Sequence, residues 1–345
     1  MTALASAAGF LGLRWNARAA TVGLVALVAL LLVTAVGVTI GEYPIALAQL
    51  PELLAGGGAR IDRHILFDLR VPRAITGCLA GACLAVAGAL TQTISRNPLA
   101  TPDILGVTGG ASAAAVAVIA FGGGAYSLTG GVLSVGVPVA ALAGGIIAAV
   151  AVYGFSWKHG VDGFRLVLVG IGCGAVLTAL TSWMLILASI NSAAQATVWL
   201  VGSISAASWD QAVPLLVLAA VFVPAALALP RTLAVTQLGD DAAAGLGVHV
   251  QRARLGTIAV AVGLSAAAVA AAGPVGFVAL VTPQVMLRLT GGSRPPLAAS
   301  AVGGALLVQT ADLLGRTAFS WEVPVGLITA AIGAPYLIWL LLRRR

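Results

Sequence analysis

The sequence predicts an all-α polytopic membrane protein, and three observations support this fold class. Hydrophobic residues make up 60% of the 345 positions and charged residues only 8%, whereas a soluble domain carries about 25% charged residues. The apolar runs are continuous and about 20 residues long, the length that an α-helix needs to cross a bilayer. The 43 glycines would let such helices pack closely in lipid. A β-barrel would instead show short alternating segments, which argues against that fold.

Ten apolar runs each predict one membrane-spanning helix. The first run is too long for the core of a signal peptide, so we retain it as a helix of the mature protein. Only Gly273-Pro274 separates the seventh run from the eighth, and Ser320-Trp321-Glu322 separates the ninth from the tenth. The predicted helices lie at 19–40, 72–95, 104–122, 132–156, 164–188, 211–229, 252–272, 275–290, 296–318 and 323–342.

The basic residues between the runs predict the orientation, because cytoplasmic loops carry more Lys and Arg than external loops. With ten spans, thirteen basic residues fall on the side of the termini and five on the other. We therefore expect both termini in the cytoplasm and the protein in the inner (cytoplasmic) membrane of the cell. The net charge of +7 is scattered between apolar runs rather than clustered, which argues against nucleic-acid binding. The external set is Arg60, Arg63, Arg70, Arg73 and Arg316; the internal set is Arg14, Arg18, Arg96, Lys158, Arg165, Arg231, Arg252, Arg254, Arg288, Arg294, Arg343, Arg344 and Arg345.

The second run is bracketed by polar residues. Arg70 and Arg73 precede it at the outer end, and SRNPLATPDILG follows it at the inner end. The two prolines of that segment lack N–H groups and force an irregular backbone. Such backbone at membrane depth must be covered by protein or line a wet cavity. The segment is therefore either the lining of a cavity or an ordinary turn in which Asp103 caps the next helix.

A second polar segment, LGDDAAAGLGVHVQRARL, begins at Leu238 between the sixth and seventh runs. Asp240 can cap a short helix there, and Gly245 or Gly247 can end it. The product is either a spacer between two spans or a rigid knob that another protein grips.

No segment of the sequence carries the motifs of an enzyme or a motor. A phosphate-binding P-loop needs GxxxxGK[ST], and the sole lysine, Lys158, stands in GFSWKHG. If ATP drives transport, a separate subunit must therefore hydrolyse it. A proton-coupled carrier would place acidic groups near the membrane midplane. Asp312 instead lies near the outer end of the ninth run, where it can pair with Arg316 at i+4.

Between residues 70 and 336 the chain resembles the FecCD family, the permease subunits of type II ABC importers for iron–siderophores, haem and cobalamin. The resemblance implies the type II ABC importer permease fold, as one transmembrane domain over residues 1–345. It also implies a permease that takes an iron–siderophore complex from a substrate-binding protein into the cytoplasm. The alternatives are a haem or cobalamin permease, an ion-coupled secondary transporter or a membrane scaffold. The matching motifs are RVPR, GACLAVAGALTQ, RNPLATPDILGVTGGA, LGDDAAAGLGV, GPVGFVALVTPQ, ADLLGR and VPVGLITAAIGAP.

The resemblance also implies a set of partners. A second FecCD-type permease, more readily a paralogue than an identical chain, would complete the translocation path. Two cytoplasmic ATPase subunits would hold ATP and Mg, so this chain needs no cofactor of its own. An extracytoplasmic substrate-binding protein would dock from outside. Many relatives have His after the proline of the eighth helix, whereas Gln284 follows Pro283 here, which favours a siderophore over haem.

Three groups of site residues follow from the family's motifs. The segment 238–248 matches the coupling helix that contacts the ATPase, with its contact residues at Asp240, Asp241, Ala244, Gly245 and Leu246. The arginines expected to meet carboxylates of the binding protein are Arg70, Arg73 and Arg316. The residues expected to narrow the cytoplasmic exit are Asn97 and Leu99.

Overall fold

The computed structural model describes residues 17–342, apart from 42, 123–131, 159, 161, 162 and 238. Arg14, Leu238 and Arg343–Arg345, which entered the sequence predictions, lie outside the described residues. Ten helices of 13 to 25 residues form the bundle within the described ranges. Seven of the described helices are long and apolar enough to cross a membrane, and three shorter apolar helices accompany them. The ten helices are α1 (Ala17–Thr39), α2 (Val71–Ile94), α3 (Val107–Phe121), α4 (Val132–Phe155), α5 (Gly163–Leu187), α6 (Trp209–Ala228), α7 (Val250–Ala272), α8 (Val278–Thr290), α9 (Leu297–Thr317) and α10 (Val325–Leu342).

The ten predicted spans correspond to these ten helices, and the connections differ more than the spans do. Predicted as a loop, the segment before α2 is instead helical: the Arg60–His64 helix and the π-helical turn Ile65–Arg70 run directly into α2. The Ile190–Val201 helix was missed, because its polar residues break the apolar run from which helices were read. Helix α3 begins later than predicted, after the 3₁₀ turn Pro102–Leu105.

Helices α2 and α7 form the centre of the bundle, and α1 and α5 lie at its edge. Of the residues in the apolar stretch of Arg60–Ile94 and in that of α7, 72% are buried, against 11% in α1 and in α5. Glycines set the central contacts, since a methyl group on Gly81 would fall on the carbonyl of Gly304, and one on Gly304 would fall on the carbonyl of Gly81. The small residues thus bring α2 and α9 to backbone contact, as expected for helices that pack in lipid.

Two short helices connect α6 to α7: Pro230–Thr236 and Asp240–Gly245. The prediction that Asp240 caps the second one is wrong. Gly239, with φ of 113°, occupies the cap position, and the side chain of Asp240 makes no capping hydrogen bond. The predicted end is confirmed, because the helix stops at Gly245 and Gly247 follows with φ of 81°, a left-handed conformation that glycine adopts readily.

The end of the bundle that the charge count assigns to the cytoplasm is here called the inner end, and the opposite end the outer end. At the inner end, Arg18 donates to the carbonyl of Leu289 at 2.7 Å, and Arg294 to that of Pro230 at 2.5 Å. Arg18 therefore satisfies a carbonyl group in the last turn of α8, which has no partner within its own helix, and Arg294 binds the first residue of the Pro230–Thr236 helix. The external arginines that are predicted to dock a partner converge at the opposite end.

Candidate functional site

The outer end carries an ionic cluster of Arg73, Asp312, Arg316 and Glu322, here called the outer cluster. Arg73 Nη2 lies 2.7 Å and Arg316 Nη2 lies 3.0 Å from the carboxylate of Asp312, so one aspartate joins α2 to α9 and closes the predicted i, i+4 pair. The side chain of Asp312 is only 4% exposed. Arg73 also contacts Glu322, whose side chain is 44% exposed. Glu322 is thus the accessible carboxylate of the cluster.

Arg70 and Arg316 both bind the carbonyl groups at the outer end of α1. Arg70 Nη1 donates to Val38 and Thr39 at 2.7 and 2.9 Å, and Arg316 Nη1 donates to Gly37 at 3.2 Å. These guanidinium groups therefore cap α1, whose last carbonyls have no partner within the helix. The structure brings the three predicted docking arginines together, but it also engages each of them within the chain.

Asp68, two residues before Arg70, does not pair with it among the described contacts. Asp68 instead lies 2.7 Å from Nδ1 of His64, one helical turn away. Arg70 reaches Tyr43 of the outer loop through the tyrosine carbonyl. The hydroxyl of Tyr43 donates to Asp62 at 2.8 Å, and this hydrogen bond raises the pKa of the tyrosine. Polar contacts thus continue from the outer helices into the loop that precedes α2.

Asn97–Ala100 forms a hydrogen-bonded turn at the inner end of α2, here called the gate turn. The side-chain oxygen of Asn97 accepts from the Leu99 amide at 3.0 Å, and the Asn97 carbonyl accepts from the Ala100 amide at 3.1 Å. Asn97 is exposed, Leu99 is half-buried and Ala100 is buried. The turn is therefore locally ordered by its own side chain, and it presents one polar and one apolar residue outward.

A second ionic cluster, Arg96, Asp240 and Arg254, lies at the inner end and is here called the inner cluster. Arg96 Nη2 lies 2.7 Å from Oδ1 of Asp240, and Arg254 Nη2 lies 3.1 Å from Oδ2. Arg96 also donates to the carbonyl of Thr236. A cavity of about 280 Å³ adjoins all three members of the cluster. Arg96 was not among the predicted site residues, since nothing in its local pattern indicates a partner 144 residues away.

The Asp240–Gly245 helix lies at the inner end, and Ala243 is its one buried residue. Asp241, Ala244 and Leu246 are exposed, and Leu246 keeps 64% of its surface. A side chain added at Gly245 would meet nothing within 4 Å. An exposed leucine beside unoccupied space is suited to contact with another protein, because moving apolar surface out of water lowers the free energy.

Gln284, which follows Pro283 in α8, packs inside the bundle. Its side-chain nitrogen donates to the side-chain oxygen of Gln92 at 2.7 Å, and the nitrogen of Gln92 donates to the carbonyl of Leu280 at 3.0 Å. Gln92 and Gln284 are 3% and 6% exposed. The amide pair therefore joins α2 to α8 through satisfied buried groups.

A bundle of apolar helices with ionic clusters at both ends and an exposed short helix on the inner face is the architecture of a multi-pass membrane permease. The chain belongs to the FecCD transport family, whose family model matches residues 27–343.

Two relatives and one solved structure show how far the similarity extends. The chain is 37% identical over 309 residues to the ferric enterobactin transport system permease protein FepG of Escherichia coli (strain K12), covering 89% of this chain and 91% of the relative. It is 38% identical over 329 residues to the achromobactin transport system permease protein CbrC of Dickeya dadantii (strain 3937), covering 94% and 93%. A metal-chelate type ABC transporter in an inward-facing conformation aligns with a TM-score of 0.80 and 26% identity, covering 94% of this chain and 99% of that one.

Proposed function

We propose that this chain is the permease subunit of an ATP-binding-cassette importer that carries an iron–siderophore complex across the inner (cytoplasmic) membrane. The names of FepG and CbrC, which refer to ferric enterobactin and achromobactin, support this substrate class. Gln284 also supports it, because its amide is held by Gln92 and offers no imidazole for haem.

The Asp240–Gly245 helix is the observation that carries the proposal. It stands outside the core, and its exposed surface includes Asp241, Ala244 and Leu246. In the proposed complex this coupling helix seats in a groove of a cytoplasmic ATPase subunit, with Asp240 at its root. Two such subunits bind ATP and Mg and hydrolyse the ATP, and their rigid-body motion moves the permease through the helix.

A second FecCD-type permease, a paralogue of this chain, forms the other half of the path. The gate turns of the two permeases narrow the inner exit, with Leu99 supplying apolar packing and Asn97 a polar neighbour. At the outer end the binding protein docks over Arg70, Arg73 and Arg316 through acidic side chains, because charge-assisted contacts orient two proteins and raise their encounter rate.

The test uses the complete complex in proteoliposomes, with this chain, its partner permease, the ATPase and the binding protein. Gly245→Trp should abolish ATP-dependent iron uptake, because the indole would fill the space reserved for the ATPase. A Cβ added at Gly245 has no atom within 4 Å, so the indole can extend away from the chain. Gly154→Trp is the matched control, because Gly154 is exposed and equally open at the inner end of α4.

Uptake is followed with radiolabelled iron bound to enterobactin, a hydroxamate, citrate or haem, each with and without ATP. The proposal requires uptake that depends on ATP and favours a siderophore. Normal uptake by Gly245→Trp would remove the coupling role of the helix. Uptake driven by an ion gradient without ATP would remove the importer class altogether.

A further inference from the structure

We propose that Arg96 is the positioning residue that transmits movement of the coupling helix to the gate turn. The inference rests on the proposed function, and it assigns a role to a side chain outside the three predicted groups. Its basis is that one residue links both segments: the backbone of Arg96 directly precedes Asn97 of the gate turn, and its side chain bonds Asp240, the first residue of the coupling helix.

The contacts of Arg96 hold both sides of the coupling helix root. Its Nη2 donates to Oδ1 of Asp240 at 2.7 Å and to the carbonyl of Thr236, where the preceding short helix ends. Arg254 of α7 holds the other oxygen of Asp240 at 3.1 Å. Displacement of the coupling helix therefore moves the carboxylate of Asp240. Arg254 of α7 and Arg96, the residue before the gate turn, both bind that carboxylate.

The backbone of Arg96 is set in a conformation that its side-chain contacts help to maintain. Its φ is 49°, in the left-handed region that L-residues other than Asn and Asp seldom adopt. This conformation turns the chain sharply out of α2 and directs it into Asn97–Ala100. Release of the guanidinium from Asp240 leaves only the backbone hydrogen bonds from the Arg96 amide to Thr93 and from the Asn97 amide to Gln92 to hold this conformation, so the gate turn reorients more easily.

The surroundings leave room for such a change. The side chains of Arg96 and Asp240 are each 46% exposed, and the cavity of about 280 Å³ lies directly beside them. Exposed ion pairs of this kind are weak, so the contact can break and reform in each transport cycle. The inner cluster is thus built to transmit movement and adds little to stability.

The experiment measures iron uptake and ATP hydrolysis together in the reconstituted complex. Arg96→Gln should lower the iron carried per ATP hydrolysed about tenfold, within the range of measured coupling factors, while the ATPase stays bound and active. Arg96→Lys keeps the positive charge beside Asp240 and should retain at least about half of the wild-type ratio, since the two groups interact directly.

Arg252→Gln is the matched control, because Arg252 is exposed on the same turn of α7 and has neither Asp240 nor the gate turn among its described contacts. An unchanged ratio in Arg96→Gln, together with loss of uptake in Gly245→Trp, would overturn the role of Arg96 and leave the proposed function standing. A ratio in Arg96→Lys as low as that in Arg96→Gln would also overturn it. Absence of ATP-dependent uptake in the unmodified complex would instead refute the proposed function, and the role of Arg96 with it.

Discussion

The outer and inner clusters have the same core, an aspartate between two arginines, yet they differ in exposure. The side chain of Asp312 is 4% exposed in the outer cluster, and that of Asp240 is 46% exposed in the inner one. Charges removed from water interact strongly, and loss of one partner leaves the other uncompensated. Charges in water interact weakly and exchange partners easily. The outer cluster therefore fixes three helices in place, whereas the inner cluster permits movement.

The largest expected effect is on stability, from neutralising the buried aspartate. Asp312→Asn leaves Arg73 and Arg316 without their shared carboxylate, and it should lower the free energy of unfolding by about 3–5 kcal/mol. Asp240→Asn, the same change in the inner cluster, should lower it by no more than about 1 kcal/mol. Thermal unfolding of the purified chain in detergent compares the two variants. Equal losses would show that burial does not separate the clusters.

A smaller effect is expected where a guanidinium group binds backbone only. Arg70→Gln removes the donors to Val38 and Thr39, and an unsatisfied buried acceptor costs about 1–3 kcal/mol. The loss should be local, so hydrogen exchange should quicken at the outer end of α1 and stay unchanged in α7. Arg63→Gln is the control, because Arg63 contacts only the loop carbonyl of Gly56 among its described contacts. Uniform protection across α1 would contradict this capping role.

The smallest stability effect is expected at Glu322, the exposed member of the outer cluster. Glu322→Gln should change the free energy of unfolding by no more than about 1 kcal/mol. It should nevertheless strengthen docking of the binding protein, because Arg73 loses an internal carboxylate that competes with those of the partner. Titration of the binding protein onto the complex measures the dissociation constant. Glu52→Gln in the outer loop is the control, and a weaker or unchanged affinity in Glu322→Gln would show that Glu322 does not occupy the docking position.

The sequence predicted the spans well because hydropathy acts locally. Each apolar run carries its own signal, and the Asp312–Arg316 pair is visible at i, i+4. The Ile190–Val201 helix was not predicted for the same reason, since polar residues interrupt its apolar run. The all-α class and the spans could thus be predicted from composition and run length, whereas the structure of the connections could not be predicted.

The ionic contacts between helices could not be predicted from the sequence. Arg73 and Asp312 are separated by 239 residues, and Arg96 and Asp240 by 144. Nothing in either local pattern records that the bundle brings them together. The expected cap at Asp240 is wrong for a related reason, because Arg96 and Arg254 hold its carboxylate. Local propensity describes a residue alone, whereas these contacts depend on the packing of α2 against α7 and α9.

The helical segment Arg60–Ile94 runs for 35 residues without a break, about 52 Å at 1.5 Å per residue, whereas the hydrocarbon core of a bilayer is about 30 Å thick. One continuous helical segment therefore carries Arg70 and Arg73 in its outer half and leads into Asn97 at its inner end. Helix α2 alone has 24 residues, about 36 Å, so a tilt of about five degrees displaces its tip by about 3 Å. That is nearly the width of a methyl group, enough to break an apolar contact made by Leu99 at the proposed exit.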